Sequence, residues 1–215
     1  MRRLGWVALL ALVAAGCVST DDQRLRDYNE DGVFLYRRGA YSEARETFQA
    51  ALALKPNDAN LLYNLGQCDE RLGQSDKAEQ SYLVCLRQAP NHAACNHALA
   101  VLYVKGQRRK EADQLVEDWL RREPKSADAY AESGWLLSQD KNYPQAISAC
   151  QRAYELDPHD VRALNELGQL YEAINRQDRA LDMYERSLEF QPQQTDVGLR
   201  VSRLKEQGVG LPHPD

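Results

Sequence analysis

Five prolines lie at a constant spacing of 34 residues, and this periodicity constrains the fold more than any other feature of the chain. The prolines are Pro56, Pro90, Pro124, Pro158 and Pro192. An alanine column keeps the same register at Ala44, Ala78, Ala112, Ala146 and Ala180. A column of small residues does so at Gly32, Gly66, Ala100, Gly134 and Gly168. A period between 20 and 50 residues is typical of repeat proteins. The sequence therefore predicts five equivalent units in series.

Each unit has the residue pattern of two packed helices. In the second unit, apolar residues recur at helical spacing and predict a buried stripe: Leu61, Leu65, Cys68 and Leu72. Small residues in the columns allow two helices to approach closely. The proline ends the second helix and biases the residue before it away from helix. Each unit is therefore predicted to be an antiparallel helical hairpin.

These columns resemble the tetratricopeptide repeat (TPR), with repeats at residues 25–58, 59–92, 93–126, 127–160 and 161–194. The resemblance implies an all-α fold, a right-handed α-solenoid of five hairpins whose first helices line a concave groove. Terminal repeats expose apolar surface that needs a cap. Residues 195–207 are therefore predicted to form a C-terminal capping helix, and residues 208–215 a flexible tail.

The third repeat exchanges the usual large and small residues of its second helix. Val116 stands where the pattern has an aromatic residue, and Trp119 stands where it has a small one. Because close-packed cores conserve volume, this exchange predicts that Trp119 is a core residue rather than a site.

The N-terminal segment has the pattern of an export signal. Arg2 and Arg3 precede an apolar run from Leu4 to Ala15, which is shorter than the roughly 20 residues of a membrane-spanning helix. The small residues before Cys17 resemble the lipobox of bacterial lipoproteins, which implies cleavage before Cys17 and lipidation of its thiol. The alternative is an ordinary signal peptide with an incidental cysteine.

The lipobox resemblance sets the expected organisation and location of the N-terminus. We expect a signal peptide at residues 1–16 and a lipidated cysteine with a linker at residues 17–24. The mature protein is then an exported bacterial lipoprotein, anchored to the membrane by its acyl chains. Its expected place is the outer membrane, facing the periplasm, because Val18 follows the cysteine, whereas an Asp there would resemble an inner-membrane retention signal.

Charge and motifs exclude several classes of function. The net charge of −5 argues against nucleic acid, whose binding needs clustered Lys and Arg. The sequence has no HExxH or CxxC metal pattern, and it has no GxxxxGK[ST], GxGxxG or GxSxG motif. We therefore predict no metal site, no cofactor, no small-molecule substrate and no enzymatic activity.

The TPR resemblance also implies which side chains face the groove. The predicted groove residues are Tyr36, Arg37, Tyr63, Gln67, Arg71, His97, Val101, Val104, Lys105, Trp135 and Gln139. Exposed aromatic and apolar clusters mark contacts between proteins, so the central part of this set is a candidate binding patch. The alternative is that Trp135 and Val101 pack against neighbouring helices.

The groove also has a basic column, formed by Arg37, Arg71 and Lys105. It could pair with an acidic or carboxylate ligand, or it could complement the dipoles of the helices that these residues end. The carboxylate clamp of chaperone-binding TPR proteins is not matched, since Ala94 and Ala98 occupy two of its positions. Recognition of a chaperone tail is therefore not expected.

Four cysteines follow Cys17, and two readings of them stay open. Cys85 is predicted near the end of one helix and Cys95 near the start of the next, so a disulfide between them is one hypothesis in an oxidising compartment. The alternative is that all four pack as small buried residues, Cys68 and Cys150 included.

These patterns favour a lipid-anchored scaffold that binds a protein of the cell envelope in its groove, as an adaptor or assembly factor. One alternative is a structural protein that self-associates through the groove or the ends of the array. The other, an envelope enzyme or small-ligand binder, requires a catalytic constellation that the motifs do not supply.

Overall fold

The computed structural model describes residues 7–210, with side chains from residue 20 onward. The described residues form eleven α-helices and no strand. The helices are α1 (Val7–Arg37), α2 (Tyr41–Leu54), α3 (Ala59–Arg71), α4 (Ser75–Gln88), α5 (Ala93–Lys105), α6 (Arg109–Arg122), α7 (Ala127–Gln139), α8 (Tyr143–Leu156), α9 (Val161–Ala173), α10 (Gln177–Phe190) and α11 (Thr195–Glu206). They belong to two compact units, the first ending at Leu102 and the second beginning at Tyr103.

Helices that are consecutive in sequence pack against one another within each unit. In the first unit α1 packs on α2, α2 on α3 and α3 on α4. In the second unit the same succession of contacts runs from α6 to α11. Short turns between packed helices give antiparallel hairpins, as the 34-residue columns predicted.

The turn inside each hairpin has the same left-handed backbone in all five repeats. One residue per turn has a positive φ, at Gly39, Gly73, Gln107, Lys141 and Asn175. At the second turn, the Gly73 N–H donates to the Glu70 carbonyl and the Gln74 N–H donates to the Asp69 carbonyl. These two bonds form a Schellman motif, which satisfies the last carbonyls of the helix. The remaining four turns repeat the pair of bonds 34 residues apart.

The small-residue column permits close contact between the two helices of a hairpin. A Cβ atom added at Gly66 of α3 would overlap the ring of Tyr82 on α4. Tyr82 is fully buried, so its ring occupies the volume that the missing side chain leaves.

The exchanged residues of the third repeat lie in the core. Trp119 is fully buried and Val116 is almost so. This confirms that Trp119 is a packing residue rather than a site.

The segment predicted as a linker, residues 17–24, lies within the helix α1, and its role as a linker stays a prediction. The helix α1 has no break over residues 20–24. Polar side chains support it there, since Arg24 pairs with Asp21 at 3.0 Å and Gln23 bonds Asp27 at 2.8 Å, which are spacings that bring side chains together on a helix. The predicted signal peptide and Cys17 lie outside the residues whose side chains are described. Among the described residues, no helix combines the length and apolar character needed to cross a membrane.

The predicted tail is corrected at its first residues. Gly208 ends α11 with a φ of 78°, and the Val209 N–H donates to the Leu204 carbonyl at 3.1 Å. Val209 then packs against the core that α11 shares with α10. Gly208 and Val209 therefore form a helix cap. Gly210 is exposed and residues 211–215 lie outside the described residues, so a flexible tail after Val209 stays a prediction.

Candidate functional site

A pocket of about 240 Å³ opens between the first three helices of the first unit. Its walls combine aliphatic, aromatic, amide and guanidinium groups: Val33, Tyr36, Arg37, Phe48, Tyr63, Asn64 and Gln67. Four of these, Tyr36, Arg37, Tyr63 and Gln67, are predicted groove residues. The structure therefore brings four of the five groove residues predicted in the first two repeats together around one cavity, while the fifth, Arg71, does not line it.

Hydrogen bonds hold the polar floor of this pocket in place. The Tyr36 hydroxyl donates to Gln67 Oε1 at 3.3 Å, and Gln67 Nε2 donates to the Tyr82 hydroxyl at 3.0 Å. Tyr82 in turn donates to Glu70 Oε2 at 2.8 Å. A network in which each member has a partner fixes the side-chain rotamers, so the pocket is preorganised.

Two residues of the predicted basic column, Arg71 and Arg37, have different surroundings, and only Arg37 lines the pocket. Arg71 donates to the Tyr41 hydroxyl, and its guanidinium carbon lies 4.7 Å from the centroid of that ring. Arg37 is exposed at the pocket rim in the last turn of α1. Burial raises the pKa of Tyr36 and of Tyr63, so both hydroxyls stay protonated at neutral pH and present O–H donors.

The remaining predicted groove residues lie on α5 and α7. His97 and Val101 are half-buried in the first unit, while Val104 is half-buried and Lys105 exposed in the second. Trp135 is half-buried and Gln139 exposed on α7. Because these residues are divided between two units, a continuous apolar patch from Tyr63 to Trp135 stays a prediction.

Sequence reasoning missed Phe48 as a wall of the pocket. Phe48 belongs to α2, whereas the resemblance assigns the groove to the first helices of the repeats. Gly32 of α1 faces the Phe48 ring, and an added Cβ would lie 2.6 Å from it. The sequence signal for this contact was the glycine at position 32 with an aromatic residue 16 positions later, which would have indicated that the Phe48 ring packs over Gly32.

A disulfide joins the second repeat to the third. Cys85 and Cys95 are bonded, with 6.6 Å between their Cα atoms. This is the first of the two hypotheses that the sequence left open, while Cys68 and Cys150 are free, buried thiols. His92 lies beside the bond, and its ligand atom and the two sulfurs are all within 4.8 Å of one another. Spacing along the chain did not reveal this cluster, and we predicted no metal site from it.

The two free thiols should be unreactive in the folded protein. Burial raises the pKa of the Cys68 thiol to about 11 and that of the Cys150 thiol further, and only thiolates react with alkylating reagents. In a Cys17→Ser chain we expect no alkylation of native protein, two modified cysteines after unfolding without a reductant, and four after unfolding with one. Mass spectrometry counts them. Four modifications without a reductant would exclude the disulfide.

Comparison with known families agrees with the hairpin geometry. Models described as Tetratricopeptide repeat match residues 59–92 and 125–193, and one described as TPR repeat matches residues 34–73. The chain contains tetratricopeptide repeats. This confirms the predicted fold class, an all-α array of TPR hairpins. Proteins of this fold generally mediate protein–protein interactions, because stacked repeats create extended binding surfaces.

Relatives and solved structures extend this likeness. Protein O-mannosyl-transferase TMTC1 of Homo sapiens is 27% identical over 165 residues, which is 75% of this chain and 19% of that protein. The chain thus spans about a fifth of this curated relative. A thermophilic TPR protein of Thermus thermophilus is 24% identical with a TM-score of 0.67, covering 86% of this chain and 99% of that one. Yeast Tom70 is 17% identical with a TM-score of 0.72, covering 86% and 40%. At these identities the two structures show the fold alone.

Proposed function

We propose that the chain is a non-enzymatic scaffold that binds a protein segment at the pocket of its first two repeats. The preorganised cavity between α1, α2 and α3 is the observation that carries this proposal. Ligand-binding pockets are typically concave and mostly apolar, with a few placed polar groups, and such a pocket can hold a side chain of a bound peptide. The aromatic walls, the amides of Asn64 and Gln67, and the Arg37 guanidinium match that description.

The chemistry of the walls indicates the kind of segment that would bind. The space between Val33, Phe48 and Tyr63 suits one apolar side chain of the partner. Arg37 at the rim suits a carboxylate close to that side chain, because guanidinium and carboxylate form charge-assisted hydrogen bonds. The proposed ligand is therefore an extended segment with an apolar residue next to an acidic one.

We further propose that this scaffold is a lipoprotein of the cell envelope, acting there as an adaptor or assembly factor. The basic start at Arg2 and Arg3, the apolar run and the small residues before Cys17 support this. The envelope is also a compartment in which a disulfide such as Cys85–Cys95 persists.

Site-specific crosslinking in the native cell tests the scaffold proposal. A photoreactive phenylalanine analogue at Tyr63 should capture a partner protein, and Arg37→Glu should abolish the adduct, because reversing the rim charge repels an acidic segment. With the purified partner, we expect Arg37→Glu to raise Kd at least about tenfold. In a chain whose residues 1–17 are replaced by an ordinary cleavable export signal without a cysteine, the adduct should move from the membrane fraction to the soluble fraction.

Phe34 provides the matched control for this experiment. It is an aromatic residue of α1 with 57% of its surface exposed, and it does not line the pocket. The same analogue at Phe34 should give no partner adduct. Equal capture at both positions would overturn the proposal, and an adduct to a second copy of the chain would identify the protein as self-associating instead.

A further inference from the structure

The third repeat differs from its neighbours at the residue that begins its first helix. The side chains of Asp58, Ser126 and Asp160 occupy this N-cap position before α3, α7 and α9, and each accepts hydrogen bonds from the backbone of its helix. Oxygen-bearing residues of this kind are the usual N-caps. Before α5 the position holds His92, whose Nδ1 accepts from the Cys95 N–H at 3.2 Å. An imidazole therefore replaces the oxygen at the one cap that adjoins two cysteines.

The surroundings of His92 orient its ring towards the two sulfurs. Nε2 lies 3.0 Å from Asn60 Oδ1, so Nε2 carries the proton and Nδ1 presents its lone pair on the side of Cys95. A partner that holds one imidazole nitrogen in this way is typical of metal-binding histidines. The Tyr63 ring also lies near the imidazole, with 6.0 Å between the two ring centroids.

We propose that, when the disulfide is reduced, Cys85, Cys95 and His92 bind one zinc ion. A dithiol reductant gives two electrons and two protons to the disulfide, yields two thiols and becomes a disulfide itself. Zinc binding then displaces both thiol protons to solvent, and Nδ1 of His92 gives up the hydrogen bond that it accepts from the Cys95 N–H, so that its lone pair can bind the metal. Two Zn–S bonds and one Zn–N bond form. Water fills the fourth position, as in zinc sites with three protein ligands.

The distances favour this arrangement. Zn–S bonds of about 2.3 Å and Zn–N bonds of about 2.0 Å place the ligand atoms of a tetrahedral site roughly 3.4–3.8 Å apart. The three ligand atoms here lie within 4.8 Å of one another, so binding requires that the two sulfurs separate and that His92 Nδ1 turn from the Cys95 N–H to the metal. Thiolate and imidazole are also the ligands that zinc prefers. Because the same two sulfurs form either the disulfide or the metal bonds, the two states exclude each other.

Cobalt titration of the full chain, in a Cys17→Ser background, tests the proposal. Co²⁺ replaces Zn²⁺ and absorbs through thiolate charge transfer when it is bound by cysteine. Protein purified with a reductant should bind one Co²⁺ per chain with this absorption, and added Zn²⁺ should displace it. Oxidised protein should show none. Circular dichroism of the reduced protein reports whether the helices are intact with and without metal.

Matched variants separate ligands from cap residues. His92→Ser keeps an N-cap of the type that Ser126 provides but removes the ligand, and Asn60→Ala removes only the partner of the ring. We expect Asn60→Ala to weaken binding about 10–100-fold and His92→Ser to weaken it further. Cys68→Ser and Cys150→Ala should bind like the parent. Three results would each overturn the proposal. The first is a Co²⁺ affinity of His92→Ser equal to that of the parent, and the second is thiolate absorption that survives the double change Cys85→Ser and Cys95→Ser. The third is no Co²⁺ binding by the reduced parent.

Discussion

Arg162→Ala is expected to lower the free energy of unfolding by about 3–5 kcal/mol. Arg162, on α9, pairs with Glu132 of α7. The Glu132 side chain is completely buried, while a quarter of the Arg162 side chain is exposed. Removing the guanidinium takes away the counter-charge that Arg162 supplies to a buried carboxylate, and the desolvation cost of that charge is then less fully offset. Urea unfolding followed by circular dichroism measures the change.

Two further variants test whether the lost stability comes from the unbalanced buried charge. Glu132→Leu together with Arg162→Met removes both charges and should restore most of the lost stability, since apolar groups of similar volume replace buried ion pairs well. Arg152→Ala breaks the Arg152–Glu155 pair, whose side chains are 47% and 61% exposed. Because solvent screens such pairs, the urea midpoint of the Arg152→Ala variant should match that of the parent. A single Arg162→Ala variant as stable as Arg152→Ala would show that the buried pair contributes nothing.

Gly134→Ala is expected to destabilise the second unit by about 1–3 kcal/mol, the usual cost of overpacking. The new Cβ would overlap Sγ of Cys150 and lie 3.1 Å from the Ala146 carbonyl oxygen. Cys150 is fully buried, so the helices α7 and α8 must separate to admit the methyl group. Thermal and urea unfolding both report this loss.

A second substitution should rescue Gly134→Ala. Cys150→Ala removes the sulfur that the methyl group meets, so the double variant should be more stable than the sum of the single changes predicts. Gly198→Ala is the control, because an added Cβ in α11 meets nothing within 4 Å and a helical Ala is favoured over Gly by about 0.5–1 kcal/mol. Additive effects of Gly134→Ala and Cys150→Ala would contradict the contact.

The hairpins and much of their packing were predictable because each depends on local, repeated signals. Column residues such as Gly66 define how closely two helices approach, and the volume exchange at Trp119 follows from dense packing. The pocket was predictable in part for the same reason. Tyr36 and Tyr63 come from successive first helices, at positions that the repeat pattern assigns to the groove, so a repeat position alone places them on one surface.

Other features depend on contacts between residues, which no single residue type signals. Glycine marks the left-handed turn at Gly39 and Gly73, but Gln107 and Lys141 adopt the same backbone without it. There the Schellman hydrogen bonds, rather than the residue, determine the conformation. The approach of His92 to the disulfide depends on where a loop places a ring between two helices. Phe48 reaches the pocket only because Gly32 leaves space above it.

The Cys85–Cys95 bond changes how the array would respond to mechanical tension. Repeats that touch only their neighbours through packing peel away one at a time when the two ends are pulled apart. The disulfide prevents the chain between Cys85 and Cys95, a separation of 10 residues, from extending under force. That segment would otherwise add about 35 Å of fully extended chain. Force therefore passes from α4 to α5 through a covalent bond, and the loop that carries His92 is shielded from stretching for as long as the bond is intact.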